Sequence, residues 1–193
     1  MATRDEKATY HHGDLRRALI DSALHLLEAR EDADIGLREV ARQTGVSATA
    51  VYRHFPDKAA LYAALAAEGF ERLADAQLAA AGREPEGRTA FRASGQAYLR
   101  FALANPALFR LMTSHMHRDG SAGALAADNR AARLLREQVA RLMPAASEAE
   151  RAVTVVQAWA LVHGLAVLML GGRIPPDAAL IEAAVNEFRP WRH

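Results

Sequence analysis

The chain has 193 residues, enough for a small module joined to a larger one, and 51% are hydrophobic and 24% charged, the proportions of an ordinary globular protein. It has no cysteine, which excludes a disulfide framework, a thiolate metal site and a thiol nucleophile. The formal net charge is +1, so contact with nucleic acid would have to come from a local basic patch, not from the overall field.

Met1 to Lys7 is charged with no apolar run behind it, so no secretory signal is expected. A first helix should begin near Gly13-Asp14, with Asp14 as its cap. Leu19, Ala23 and Leu26, and beside them Ile20, Leu24 and Leu27, give it a broad apolar face. Glu31, Asp32 and Asp34 form an acidic loop. A short second helix runs from Gly36 or Leu37 to Gln43. Thr44-Gly45-Val46 turns the chain, and Ser47 caps a third helix through about Phe55. Pro56-Asp57 breaks it, and a long fourth helix follows from Lys58 to about Ala80. A loop with Pro85 leads to a fifth helix, Arg88 to Leu103, and Asn105-Pro106 opens a sixth to about His115. Asp119 to Gly123 is a loop. A seventh helix ends at Leu142, an eighth spans Glu148 to Leu170 and stops at Gly171-Gly172, and a last one after Pro175-Pro176 ends near Phe188. No period-2 alternation is long enough for a strand, so the fold class is all-α with about nine helices.

The stretch Leu37 to Lys58 carries the most information. Two short helices that cross steeply need a small residue at the crossing, a residue tolerant of positive φ in the turn, and an apolar anchor beneath the second helix. Ala41, Gly45 and Val51 supply these in order, with Val46 and Phe55 beside them. That is a helix-turn-helix pattern. Its outward side carries Ala48, Thr49, Tyr52 and Arg53. Small residues let the backbone approach base edges, and Thr49 can bond a base or touch a thymine methyl. Tyr52 and His54 can bond phosphate oxygens. Lys58 stands in the first turn of a helix, where a cation opposes the macrodipole by a few tenths to about 1 kcal/mol. A phosphate on the free amides after Asp57 reverses that sign, so Lys58 reads as a phosphate clamp. Each of these residues taken alone has an ordinary surface reading; the framework they sit on is what favours DNA.

Tyr10-His11-His12-Gly13-Asp14-Leu15-Arg16, Leu37-Arg38-Glu39-Val40-Ala41-Arg42 and Val51-Tyr52-Arg53-His54-Phe55-Pro56-Asp57-Lys58 resemble TetR-family transcriptional regulators. The resemblance covers residues 10 to 70. It implies a three-helix DNA-binding domain (1–58), a helical ligand-binding and dimerisation domain (59–193), and a homodimer. It places Thr49, Tyr52, His54 and Lys58 where the family contacts DNA. Gly36 departs from the pattern, since Ser or Thr is usual there, which puts one phosphate contact in doubt.

Residues 152–170, AVTVVQAWALVHGLAVLML, are apolar nearly all round. A membrane span needs about 20 such residues, but Gln157, His163 and Gly164 interrupt this one. A helix covered by its own core on one side and a second subunit on the other is expected, so no membrane is, and residues 177–188 complete the homodimer interface. Trp159, His163 and Gly164 resemble the Trp-His-Gly signature of one TetR subgroup. His163 either packs in the core or offers a polar handle to a ligand, and Gly164 permits close helix approach. Tyr98, Phe101, Phe109, Met112 and Met116 either fill the core or, with Trp159 and His163, line a ligand pocket. His115 and His117 near Asp119 point apart on a helix, so no metal site is expected there.

No nucleophile–base pair or phosphate loop supports an enzyme, and no cofactor is expected. The expected function is a cytoplasmic repressor on palindromic double-stranded operator DNA, released by a small apolar effector of unknown identity. A constitutive DNA-binding factor without a ligand is the alternative. The fourth helix, about 33 Å long over residues 58–80, carries the clamp at one end and enters the larger domain.

Overall fold

The computed structural model describes residues 12–29, 34–118 and 129–188, with side chains undescribed at 12–14 and 115–118. All regular structure among them is helical: α1 (His12–Glu28), α2 (Leu37–Thr44), α3 (Ala48–Tyr52), α4 (Lys58–Ala81), α5 (Arg88–Ala104), α6 (Pro106–Arg118), α7 (Arg130–Leu142), α8 (Glu148–Leu170) and α9 (Ala178–Asn186). The chain divides into two compact units, one ending at Leu65 and one starting at Ala66.

In the first unit, Leu19, Ala23, Leu24 and Leu27 of α1 are buried with Ile35, with Leu37, Val40 and Ala41 of α2, and with Val51, Phe55, Leu61 and Leu65. These are the apolar positions that helical spacing selects. α1 starts at His12, so Asp14 lies within its first turn and is not the residue before it. The turn between α2 and α3 closes on Gly45, whose φ of 75° only glycine adopts cheaply, and Val46 N–H donates to the Ala41 carbonyl at 3.0 Å. Ser47 Oγ accepts from Ala50 N–H at 3.2 Å and so starts α3. Regular α3 geometry ends at Tyr52, and His54 and Phe55 continue it as a tight turn onto the Val51 carbonyl. Asp57 caps α4 by accepting from Ala60 N–H at 2.7 Å. The Tyr62 hydroxyl accepts from Ile35 N–H at 2.8 Å, which satisfies a buried loop amide.

In the second unit, α5 packs against α8 and α9, and α7 lies on α8. Phe91, Val139, Val155 and Ala158 form a core cluster with Leu135, Leu142, Met143 and Phe188 around it. Gly69 lets α6 press onto α4: a Cβ there would stand 2.6 Å from Met112 Sδ. Ser147 and Glu150 make a reciprocal capping box at the start of α8. Asn129 caps α7, and Asp177 caps α9. Arg130, in the first turn of α7, reaches Glu71 at 3.2 Å and Asp75 at 2.6 Å on α4.

α8 is the one helix among the described residues long and apolar enough to cross a membrane. Its two sides differ. Thr154, Val155, Ala158, Val162, Ala166 and Met169 are buried, whereas Val153, Val156, Val167 and Leu168 are exposed. Gly164 belongs to the second side, and a Cβ there would meet nothing within 4 Å. The close helix approach expected at Gly164 is therefore not made within the described chain.

Candidate functional site

The smaller unit presents α3 outward. Thr49, Tyr52 and Arg53 are exposed, Tyr52 to 46%, while Ala48 and His54 are half-buried and Val51 between them is fully buried. One buried anchor and a ring of exposed side chains is what a recognition helix needs: the helix is fixed from beneath and free to enter a groove.

Beside α3 lies an open groove of about 420 Å³, lined by Gly36, Leu37, Arg38, Tyr52, Pro56, Asp57 and Lys58. The starts of α2 and α4 thus meet around one tyrosine, and free amides at two helix N-termini suit an anion. Lys58 Nζ forms an ion pair with Asp34 and stands 5.1 Å from the centre of the Tyr62 ring. Both partners of the pair are exposed, so it is worth at most about 1 kcal/mol and a phosphate can replace Asp34. Arg38 and Asp34 were not singled out from the sequence. Arg38 shares the signal that marked Lys58, a cation in the first turn of a helix. Asp34 carried none, because its partner lies 24 residues away.

The larger unit encloses a cavity of about 70 Å³. Phe70, Leu73 and Gln77 reach it from α4, Phe91, Ser94 and Tyr98 from α5, Phe109 and Met112 from α6, Leu135 and Gln138 from α7, and Ala158, Trp159 and Val162 from α8. Of the residues expected at a pocket, Tyr98, Phe109, Met112 and Trp159 are on the wall. Phe101 is buried but not on it. His163 is one layer back: its Nδ1 is 3.0 Å from the Tyr98 hydroxyl, and its ring stacks on Trp159 at 4.9 Å. The Met116 side chain lies outside the described residues, as do His115, His117 and Asp119.

Phe109 meets Tyr98 edge-on at 5.8 Å and His163 at 5.7 Å, so four rings brace one side of the cavity. Burial pushes the Tyr98 phenol far above its ordinary value, and a hydrogen bond from Trp159 opposes this only in part. The phenol stays neutral. None of the described residues lining the cavity carries a charge.

The family description "Bacterial regulatory proteins, tetR family" matches residues 19–65, and "Tetracyclin repressor-like, C-terminal domain" matches residues 91–188. The chain belongs to the TetR family. Solved structures share the fold. A protein of unknown function from Rhodococcus sp. RHA1 is 34% identical, with a TM-score of 0.74 over 93% of this chain and 96% of its own. A tetR-family transcriptional regulator from Streptomyces coelicolor is 25% identical, with a TM-score of 0.63 over 91% of this chain and 78% of its own. A TetR transcriptional regulator from Rhodococcus sp. RHA1 shares the fold at 22% identity, with a TM-score of 0.60 over 91% and 96%. This TetR protein is a DNA-binding transcriptional regulator and not an enzyme. Its family acts as dimers that bind operator DNA and ligands.

Proposed function

We propose that this TetR protein is a cytoplasmic repressor that leaves its operator when a small, mostly apolar molecule binds in the cavity of the larger unit. The observation that carries the reading is the cavity itself: an enclosed, uncharged, aromatic-walled space in a unit that accompanies a complete helix-turn-helix. Ala48, Thr49 and Arg53 meet the major groove, and Tyr52, His54 and Lys58 hold phosphates. Residues 1–58 read DNA, and residues 59–193 bind ligand and dimerise. Tyr98, Phe109, Met112 and Trp159 touch the effector, and His163 acts through Tyr98 and Trp159. The exposed side of α8, with Leu180 of α9, supports a homodimer, since a free monomer would leave that apolar face in water. A two-fold dimer implies a palindromic operator.

The two functions share a helix: α4 begins at Lys58 and carries Phe70, Leu73 and Gln77 on the cavity wall. A ligand that shifts α4 would change the fit to DNA. Linkage then demands reciprocity, so operator must weaken ligand binding by the factor by which ligand weakens operator binding. The test is to select an operator from random duplexes, find a ligand by thermal shift, and titrate each in the presence of the other. A ligand held in the cavity with equal affinity with and without operator refutes release by that ligand. Sedimentation at micromolar concentration checks the dimer; a species of 21.0 kDa alone refutes it.

A further inference from the structure

Three buried side-chain atoms among the described residues lack a hydrogen-bond partner within the protein: Gln77 Oε1, Ser94 Oγ and Arg92 Nε. Two of these, Gln77 Oε1 and Ser94 Oγ, belong to residues that line the cavity. Gln77 is only 8% exposed and Ser94 only 2%. Gln77 Nε2 donates to the Ser94 carbonyl at 3.4 Å. That bond fixes the amide orientation, because turning it over would set two acceptors face to face. Its oxygen is thereby left as a lone acceptor. Ser94 Oγ beside it can accept or donate. Gln138, also buried and on the wall, adds a third neutral polar group on the same cavity. Buried groups of this kind strongly favour a partner, and in a binding site the ligand supplies it.

We propose that the cavity takes a neutral, largely apolar molecule bearing a hydroxyl or primary amide, held by Gln77 Oε1 and Ser94 Oγ while its body lies against Tyr98, Phe109 and Trp159. This rests on the effector reading above and narrows it. Gln77 Oε1 accepts a hydrogen bond from the ligand, and Ser94 Oγ completes a second one. A carboxylate is disfavoured on two counts: the wall has no cation among the described residues, and the free acceptor of Gln77 repels it.

The test compares three probes on the full chain by calorimetry: benzyl alcohol, ethylbenzene of the same heavy-atom count, and benzoate. The expected result is that benzyl alcohol binds about tenfold more tightly than ethylbenzene, the effect of pairing buried polar groups, and that benzoate binds more weakly than either. In the Ser94→Ala/Gln77→Met double variant the preference for the alcohol disappears while ethylbenzene binding persists, which shows the cavity intact. Should that variant lose ethylbenzene too, Ser94→Ala alone decides, with a several-fold loss for the alcohol only. Equal affinities for alcohol and hydrocarbon, a preference left undiminished by Ser94→Ala, or tight benzoate binding each overturn the polar handle and leave the effector cavity standing. Binding of none of the three overturns both.

Discussion

The two units handle polar groups in opposite ways. In the smaller one, Thr49, Tyr52, Arg53 and Lys58, among the side chains proposed to meet DNA, are exposed, and nearby backbone ends are closed by local caps, Ser47 on Ala50 and Asp57 on Ala60. In the larger one, the informative polar groups are buried, and two of them, on residues that line a cavity, have no partner within the protein. Exposed contacts are individually weak and screened by salt, so DNA affinity must be a sum over many of them. Buried contacts are few and each weighs more, because the low dielectric around them strengthens a pair that is made and penalises one that is not. Under the proposed function, the regulator reads a common polymer with the first kind of chemistry and an uncommon small molecule with the second.

The comparison is broken most forcefully at Gly69. A Cβ there falls 2.6 Å from Met112 Sδ and 2.8 Å from its Cγ. Met112 is buried and on the cavity wall, so Gly69→Ala must displace it and is expected to reshape that wall. The cost should be about 1–3 kcal/mol of stability, which lowers the melting temperature by several degrees, and the probes above should bind less well. DNA affinity of the folded variant should barely change. A variant as stable as the parent with unchanged probe binding shows that α4 and α6 can part freely.

On the DNA side the largest effect is expected at Thr49, the residue assigned to base reading. Thr49→Ala should alter sequence preference, with about 1–3 kcal/mol of discrimination lost at one base pair in each half-site. Repeating the operator selection with the variant checks this. An identical consensus means that Thr49 reads no base.

Lys58 and Asp34 give smaller effects of opposite sign. Lys58→Ala should weaken binding to all duplexes alike and reduce the salt slope by about 1 per half-site. Asp34→Asn removes the carboxylate that now pairs with Lys58, so affinity should rise, by less than about 1 kcal/mol because the pair is exposed. Anisotropy titrations across a salt series separate the two. If Asp34→Asn weakens binding, Asp34 orients the lysine and does not compete with phosphate.

How far each unit could be read from sequence follows from the same contrast. Ala41, Gly45 and Val51 lie within one short stretch, and their spacing alone dictates the turn and its buried anchor. Helix caps are equally local, so the element order and most boundaries were legible too. The cavity is assembled from α4 to α9, and no spacing rule tells which aromatic faces inward across that many helices. Phe101 and Tyr98 look alike in sequence, yet only Tyr98 reaches the wall. Gln77 and Ser94 do leave a trace in the sequence. Gln77 continues the Phe70, Leu73 stripe at i+7 and i+4, and Ser94 sits between Phe91 and Tyr98 at i+3 and i−4, so both are polar residues on buried helix faces.

The smallest expected effect concerns Gly36, which begins α2 with extended geometry, φ −94° and ψ 145°, and no side-chain cap. A Cβ there would meet nothing within 4 Å, so serine fits without displacing a neighbour. With Glu39 already at the third helical position, Gly36→Ser completes the Ser-x-x-Glu pattern of a capping box. Glycine is a fair cap, so the stability gained should be only a few tenths of a kcal/mol. The hydroxyl would also enter the groove that Tyr52, Arg38 and Lys58 line, adding a phosphate contact and raising DNA affinity about twofold, a step typical of one exposed neutral hydrogen bond. Gly36→Ala is the control. It fills the same space without a hydroxyl, and alanine caps poorly, so it should lose stability and gain no affinity. Serine and alanine variants that melt alike and bind alike would show that the start of α2 neither needs a cap nor meets a phosphate, and the groove reading would then rest on α4 alone.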